Sequence, residues 1–337
     1  MSDARQAGRP TRRGRWLRWH AWLGVVLSVP LILVAVSGAG LSFAREIDRV
    51  LAPELWTLSP PARAERASAD RLIERVRDHH PAATLQRLEM PARVQDTAMV
   101  QLVDARGERR QVFVDPYRQT PVGERPASDD PRQWLGDFHA RLSAGAPGQW
   151  LVILSSAGVL ALFLSGWTGR PLRHGGGAGR SHRRIVTVGA WLWSVIALTG
   201  LWAVAAGYPL SGREVPPVAV GATLSMAHSE VCGLGAVETI WWRQDGQAVL
   251  RCRAPGSIGP FGIVYQAGDE RSPPGAGDWL AAIHTGALLG VGGSVVWFWG
   301  TLMLPVAMGL GLLAFRRRRA AGSADAGGHP VREEGSR

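Results

Sequence analysis

Four apolar runs, at residues 21–43, 149–169, 185–207 and 294–315, interrupt an otherwise polar chain. Each is long enough to cross a hydrocarbon core as an α-helix, and none contains Asp, Glu, Lys or Arg. Between them the hydrophobic period changes. Ala69 to His80 sets Leu72, Ile73 and Val76 on one helical face and ends at Pro81. Thr84 to Met90, Ala98 to Asp104 and Gln111 to Val114 alternate as strands do, with Arg106-Gly107-Glu108 as a turn. Beyond the third run, Val237 to Trp242, Ala248 to Cys252 and Gly262 to Gln266 alternate in the same way. The first two of these flank Gln244-Asp245-Gly246, a hairpin-type turn. Ser59 to Ala62 and Ser272 to Gly277 have the composition of linkers. The pattern predicts a membrane all-α, four-helix transmembrane bundle carrying two small α+β insertions, each a short antiparallel sheet, the second a reduced version of the first.

The predicted segments follow in order. A cytoplasmic Arg-rich tail (1–20) leads to the first span (21–43), an outer domain (44–130), a His-bearing helix (131–148) and the second span (149–169). A cytoplasmic loop (170–184) leads to the third span (185–207), the second outer domain (208–277), another His-bearing helix (278–293), the fourth span (294–315) and a tail (316–337). The first run is expected to be retained rather than cleaved as a signal peptide. It is long for that role, and Phe43-Ala44-Arg45 makes a poor cleavage site.

Charge gives the direction. The 337 residues include 38 basic ones, all arginine, with a net charge of +11, as in high-GC bacterial proteins. Nucleic acid binding is set aside, because the arginines gather beside apolar runs, where orientation signals sit. Arg5, Arg9, Arg12, Arg13, Arg15 and Arg18 precede the first span, and Arg170, Arg173, Arg180, Arg183 and Arg184 lie between the second and third. Arg316 to Arg319 follow the fourth. In a four-helix topology these share one side, which puts both termini in the cytoplasm and the long segments in the periplasm or exterior. Cys232 and Cys252 both fall in the second outer segment, where a disulfide could form; two free thiols are the alternative.

An internal repeat changes the picture further. His20 precedes Ser37-Gly38 by the same interval that separates His182 from Thr199-Gly200. Trp134-Leu135-Gly136-Asp137-Phe138-His139 matches Trp279-Leu280-Ala281-Ala282-Ile283-His284, and glycines recur at Gly145 and Gly148, then Gly290 and Gly293. The chain thus has the form of a tandem duplication of a two-helix unit. The repeat puts His20 and His182 at the cytoplasmic border and His139 and His284 at the outer one, each pair able to offer two imidazoles to one iron. Bis-imidazole ligation leaves no open position and suits electron transfer, so the expectation is two b-type haems. Arg18, Arg183, Arg184 and Arg141 stand beside these histidines and would neutralise haem propionates. The plainer alternative is that helix-end histidines serve as caps or interfacial anchors. His79, His80, His174, His228 and His329 lack repeat partners.

Trp19-His20-Ala21-Trp22-Leu23-Gly24, Ser37-Gly38, Arg45-Glu46-Ile47-Asp48, Val114-Asp115-Pro116-Tyr117 and Phe138-His139 resemble, in that order, the motifs of PepSY-associated transmembrane proteins. The segment 69–115 looks like a PepSY domain. The resemblance covers about residues 15–316. It implies a bacterial inner-membrane protein of iron uptake, similar to di-haem ferric-siderophore reductases, with His20 and His182 on the inner haem and His139 and His284 on the outer. It also implies a ferric siderophore or other iron chelate as acceptor. The chain departs from the family pattern at Arg118-Gln119, where a small residue and Gly are usual, and at the start of the third span. The fourth span lacks the Thr-Gly pair. No dinucleotide fingerprint occurs, so electrons would come from a separate cytoplasmic reductase or from quinol. Membrane lipid is the remaining expected partner, nucleic acid is not one, and a homodimer is left open. The alternative function is a PepSY-type binding or regulatory protein without redox activity. A transporter is disfavoured by spans that hold no charge, and hydrolysis by the lack of nucleophile or zinc motifs.

Overall fold

The computed structural model describes residues 12–63, 65–168, 177–206, 232, 236–243, 246–267 and 270–327. The readings at Arg5, Arg9, Arg170, Arg173, His174, His228, His329 and Gln244-Asp245 lie outside them. Nine α-helices and eight strands are described: α1 (Arg12–Ser42), α2 (Ala44–Leu51), α3 (Pro53–Trp56), α4 (Ala69–His79), β1 (Thr84–Glu89), β2 (Ala98–Val103), β3 (Arg109–Val114) and β4 (Pro121–Pro126) come first. Then follow α5 (Pro131–Arg141), α6 (Gly145–Thr168), α7 (Gly177–Ala205), β5 (Ala236–Trp242), β6 (Ala248–Arg253), β7 (Ile263–Ala267), β8 (Glu270–Ser272), α8 (Ala276–Thr285) and α9 (Gly290–Gly327). The chain divides into two compact units: residues 1–39, 139–201 and 298–337, and residues 40–138 and 202–297.

The first unit is helical. Among the described residues, α1, α6, α7 and the stretch Ala287–Arg317 are long and apolar enough to cross a membrane. Side chains are apolar on all sides here, as lipid demands, so packing rests on close approach. A Cβ at Gly158 of α6 would meet Leu27 Cδ1 at 2.1 Å, and one at Gly300 of α9 would meet Leu192 Cδ2 at 2.2 Å. Both glycines admit a leucine from a neighbouring helix, the device by which small residues bring membrane helices together. Trp193 fills the middle, stacked on Phe163 and donating its Nε1–H to the Gly300 carbonyl at 2.9 Å. Leu27, Leu31, Val159, Leu162, Ala197 and Met308 complete this core.

The second unit departs from the expected pair of small sheets. Its strands form one eight-stranded antiparallel sheet in the order β4-β3-β2-β1-β5-β6-β7-β8. The joint is β1 against β5, with Arg87 opposite Trp241, Leu88 opposite Ile240 and Glu89 opposite Thr239. Each four-strand meander standing alone would expose that edge's backbone groups, and pairing satisfies both edges at once. The second four strands thus run outward from the joint as a topological mirror of the first four. β4 and β8, the outer edges, were not anticipated from the sequence, and Ser272, assigned there to a linker, ends β8. α4 covers one face with Leu72, Ile73 and Val76 over Leu88, Val100, Val112, Ile240, Trp242 and Leu250, so a single core serves both halves. Its N-terminus is capped by Ser68 Oγ, which accepts from the Arg71 N–H. On the opposite face Trp56 of α3 meets Phe113 edge-to-face at 5.0 Å. Cys232 and Cys252 form a disulfide.

Buried ion pairs lock α2 and α5 to this sheet. Asp48 accepts from both terminal nitrogens of Arg125 at 2.6 Å and from Trp56 Nε1 at 2.8 Å. Arg49 meets Asp96 at 2.5 Å. Glu89 gathers Arg45, Arg87 at 2.8 Å and Arg132 at 3.1 Å. Burial alone would raise the Glu89 pKa, but the guanidinium groups of Arg87, Arg132 and Arg45 override it and hold the carboxyl far below the usual range. A depressed carboxylate contributes stability that is complete above its unfolded value near 4.5 and fades as pH falls below it. We therefore expect the sheet unit to melt at a markedly lower temperature at pH 3.5 than at pH 6. Glu89→Gln should flatten that dependence while lowering stability at neutral pH, as thermal melts across the range would measure.

Candidate functional site

Three of the four repeat histidines lie in the helical unit. Each is held by a neighbouring helix in the same manner. His139, near the end of α5, directs Nδ1 at the Val34 carbonyl of α1 (3.0 Å) and the Ser37 hydroxyl (3.2 Å). The Ser37 hydroxyl hydrogen is committed to the Leu33 and Val34 carbonyls, at 2.8 and 3.1 Å, so its oxygen accepts from the imidazole. His182, near the start of α7, donates Nδ1–H to the Ala307 carbonyl of α9 at 2.7 Å. His20 of α1 directs Nδ1 at Ser165 Oγ of α6 at 2.9 Å, and that hydroxyl donates to the Leu162 carbonyl at 3.0 Å.

These partners settle the tautomer. A carbonyl can only accept, so Nδ1 carries a proton in His139 and His182, and the Ser165 hydroxyl, whose hydrogen goes to Leu162, faces His20 Nδ1 as an acceptor. That is the state required of an imidazole that ligates a metal through Nε2, the second nitrogen being oriented by a carbonyl. Burial pushes the His139 pKa below the usual imidazole value, against the raising effect of its bond to Val34, which keeps the ring neutral near neutral pH.

A glycine stands against each of these three rings. A Cβ at Gly38 would lie 2.8 Å from His139 Cε1, one at Gly311 would lie 3.1 Å from His182 Cε1, and one at Gly166 would lie 3.4 Å from His20 Cε1. The partners obey the same sequence offset as the histidines. The shift that carries His139 onto His284 also carries Leu162 onto Ala307 and Gly166 onto Gly311. The shift that carries His20 onto His182 carries Ser37 onto Thr199, whose hydroxyl bonds the Val195 and Ile196 carbonyls at 2.7 and 3.1 Å as Ser37 bonds Leu33 and Val34.

His20 and His182, expected to form the inner pair, both lie in the helical unit. His284 sits in the last turn of α8, in the sheet unit. Arg18, Arg141, Arg183 and Arg184 are exposed beside their histidines in sequence. His79 and His80 belong to the end of α4, with His80 facing Glu124 at 3.1 Å. Sequence reasoning found the histidines but not what orients them. Backbone carbonyls leave no mark in a sequence, although the Ser37-Gly38 pair was a trace of the place that receives the His139 ring.

The family model described as PepSY-associated TM region matches residues 17–318. The chain belongs to this family. No curated protein matches the sequence significantly. As a PepSY-associated protein it is a membrane protein with four apolar helices, in agreement with its hydropathy and its motifs.

Proposed function

We propose that this PepSY-associated protein is a bacterial inner-membrane electron-transfer protein that holds two b-type haems and passes electrons to ferric iron, in a siderophore or another chelate, on the periplasmic side. The observation that carries the reading is the orientation of His20, His139 and His182, each with Nδ1 directed at a hydrogen-bond partner on a neighbouring helix. The residues fit such a group, since three half-buried imidazoles, each oriented through Nδ1 and with a glycine against its ring, would hold a haem iron. His20 with His182 would hold one haem and His139 with His284 the other, as the repeat in the sequence implies. Bis-histidine haem supplies one-electron transfer without an open coordination site. Arg18, Arg183, Arg184 and Arg141 would pair with the propionates. Electrons would enter from a separate cytoplasmic reductase or from quinol.

Arginine placement supports cytoplasmic termini, since Arg15, Arg18, Arg183, Arg184, Arg316 and Arg317 all stand at the same end of the predicted topology. The Cys232–Cys252 bridge supports an oxidising compartment for the sheet.

The test is the absorption spectrum of protein purified from haem-replete membranes. A low-spin bis-histidine spectrum with about two haems per chain is expected, one for each imidazole pair. Haem-free protein from such membranes would refute the proposal and leave the partner-binding alternative. A finer check uses Gly38→Val. Its branched side chain takes the place of the His139 ring, so one low-spin signal should disappear from the electron paramagnetic resonance spectrum while the other persists.

A further inference from the structure

The loop between β6 and β7, residues 254–262, has the sequence Ala-Pro-Gly-Ser-Ile-Gly-Pro-Phe-Gly and carries no charge. It is a tightly built loop. Ala254 N–H donates to the Gly262 carbonyl at 2.8 Å, Ser257 N–H to Ala254 at 3.2 Å and Phe261 N–H to Ile258 at 3.2 Å. Gly256, Gly259 and Gly262 take φ values of +71°, +60° and +72°, a backbone that only glycine adopts freely. Arg253 Nη1 fixes the Gly259 carbonyl at 2.9 Å.

The loop is seated on the beginning of the fourth apolar span, inside the same compact unit. A Cβ at Gly259 would lie 2.6 Å from the carbonyl oxygens of Ala287 and Leu288, and one at Gly290 would lie 2.7 Å from Ile258 Cγ2. The Phe261 ring meets Trp279 of α8 edge-to-face at 4.9 Å. The apolar stretch that is long enough to cross a membrane includes Ala287, and Gly290 opens α9. Despite these contacts Ile258 is 56% exposed and Phe261 54%, and Leu289 and Val291 beside them are 65% and 79% exposed. A single exposed apolar residue is ordinary, but a continuous patch marks an interface. Here the patch adjoins Leu289 and Val291 at the start of the fourth apolar helix. The counterpart turn between β2 and β3 contrasts sharply. It reads Asp104-Ala105-Arg106-Gly107-Glu108, and the strand register places it at the opposite end of the sheet.

We propose that the β6–β7 loop is a lipid anchor: Ile258 and Phe261 enter the boundary between headgroups and acyl chains beside the start of the fourth span, in the manner of interfacial apolar segments. The loop then holds α8, through Phe261 on Trp279, at a fixed depth. Lipid is the occupant because the patch runs without a polar break onto the membrane-spanning helix, and because the loop offers neither charge nor side-chain donors for a protein partner beyond Ser257, whose hydroxyl is turned inward to the Ala254 carbonyl at 2.8 Å.

The full chain is tested in vesicles of phosphatidylethanolamine and phosphatidylglycerol, with a nitroxide attached to Ile258→Cys, Phe261→Cys or Ala105→Cys. The native cysteines are bridged, so the added thiol is labelled selectively without reductant. Power saturation should show labels at 258 and 261 colliding several-fold more with oxygen, relative to a water-soluble nickel chelate, than the label at 105. Two positions keep the test decisive if one label disturbs the loop. Labels at 258 and 261 that meet the nickel chelate as freely as the one at 105 would overturn the proposal. Labels shielded from both reagents and broadened by a second spin would overturn it in favour of a second copy covering the patch.

Discussion

Replacing His182 with alanine is expected to remove one of the two proposed haems from the purified chain, so that pyridine haemochromogen content falls by about half. His20→Ala should give the same loss, since both rings would serve one iron. The double variant His20→Ala/His182→Ala should lose no more than either single change. His139→Ala should remove the other haem, leaving a residual spectrum distinct from that of the His182 variant. Effects within one ligand pair are non-additive while those of separate sites add, so His139→Ala/His182→Ala should be haem-free. His79→Ala is the control, because among the described residues its Nδ1 bonds to the Arg75 carbonyl of its own helix at 2.8 Å. Anchoring histidines would behave otherwise. Removing them would lower stability through the lost bonds to Ala307 or Val34 and leave the spectrum unchanged in form. A His182 variant with undiminished haem would therefore exclude it as a ligand.

The helical half of the fold was legible because lipid imposes a composition: any twenty-residue run without charge is conspicuous. The candidate histidines were legible because repeated motifs in the sequence match His20 with His182 and His139 with His284. The single sheet was not. β1 meets β5 across two apolar spans, and a pairing between such distant segments has no local signature, since each strand's alternation is the same whether its edge is paired or free. β4 was hidden for a different reason. Pro121, Gly123 and Pro126 read as loop residues, yet prolines are tolerated at a sheet edge that has no outer partner to bond. β8 has three residues, too few for any period. The family departure at Arg118-Gln119 also gains a physical meaning. Gln119 has φ +57°, a left-handed position that favours glycine. Its turn is braced by Asp115, whose carboxylate accepts from the backbone N–H of Tyr117 and Arg118 and from the Arg118 side chain at 2.8 to 3.0 Å.

The largest stability effect is expected at Arg125. The motif Arg45-Glu46-Ile47-Asp48 ends on a carboxylate that is 1% exposed. Every part of its partner is engaged: both terminal nitrogens of Arg125 hold Asp48, and Nε donates to the Gln111 side-chain carbonyl at 2.8 Å. Gln111 in turn donates to Asp130 at 2.8 Å, so the network runs from α2 through β3 and β4 to the residue preceding α5. Taking two charges out of water is costly, and their attraction roughly offsets that cost when all hydrogen bonds are made. Removing one partner leaves the other buried and unpaired. Arg125→Met should therefore destabilise the sheet unit by about 3–5 kcal/mol. Arg125→Lys should recover only part of this, because an ammonium cannot make the two parallel bonds to Asp48. The double change Asp48→Leu/Arg125→Met removes both charges and should be more stable than Arg125→Met alone. Denaturant unfolding followed by hydrogen exchange in β3 and β4 would measure all three. If the double variant proved as unstable as the single one, the stabilising element would be the Trp56 and Gln111 hydrogen bonds rather than the charge pair, and α2 would be held to the sheet chiefly by Trp56 packed on Phe113.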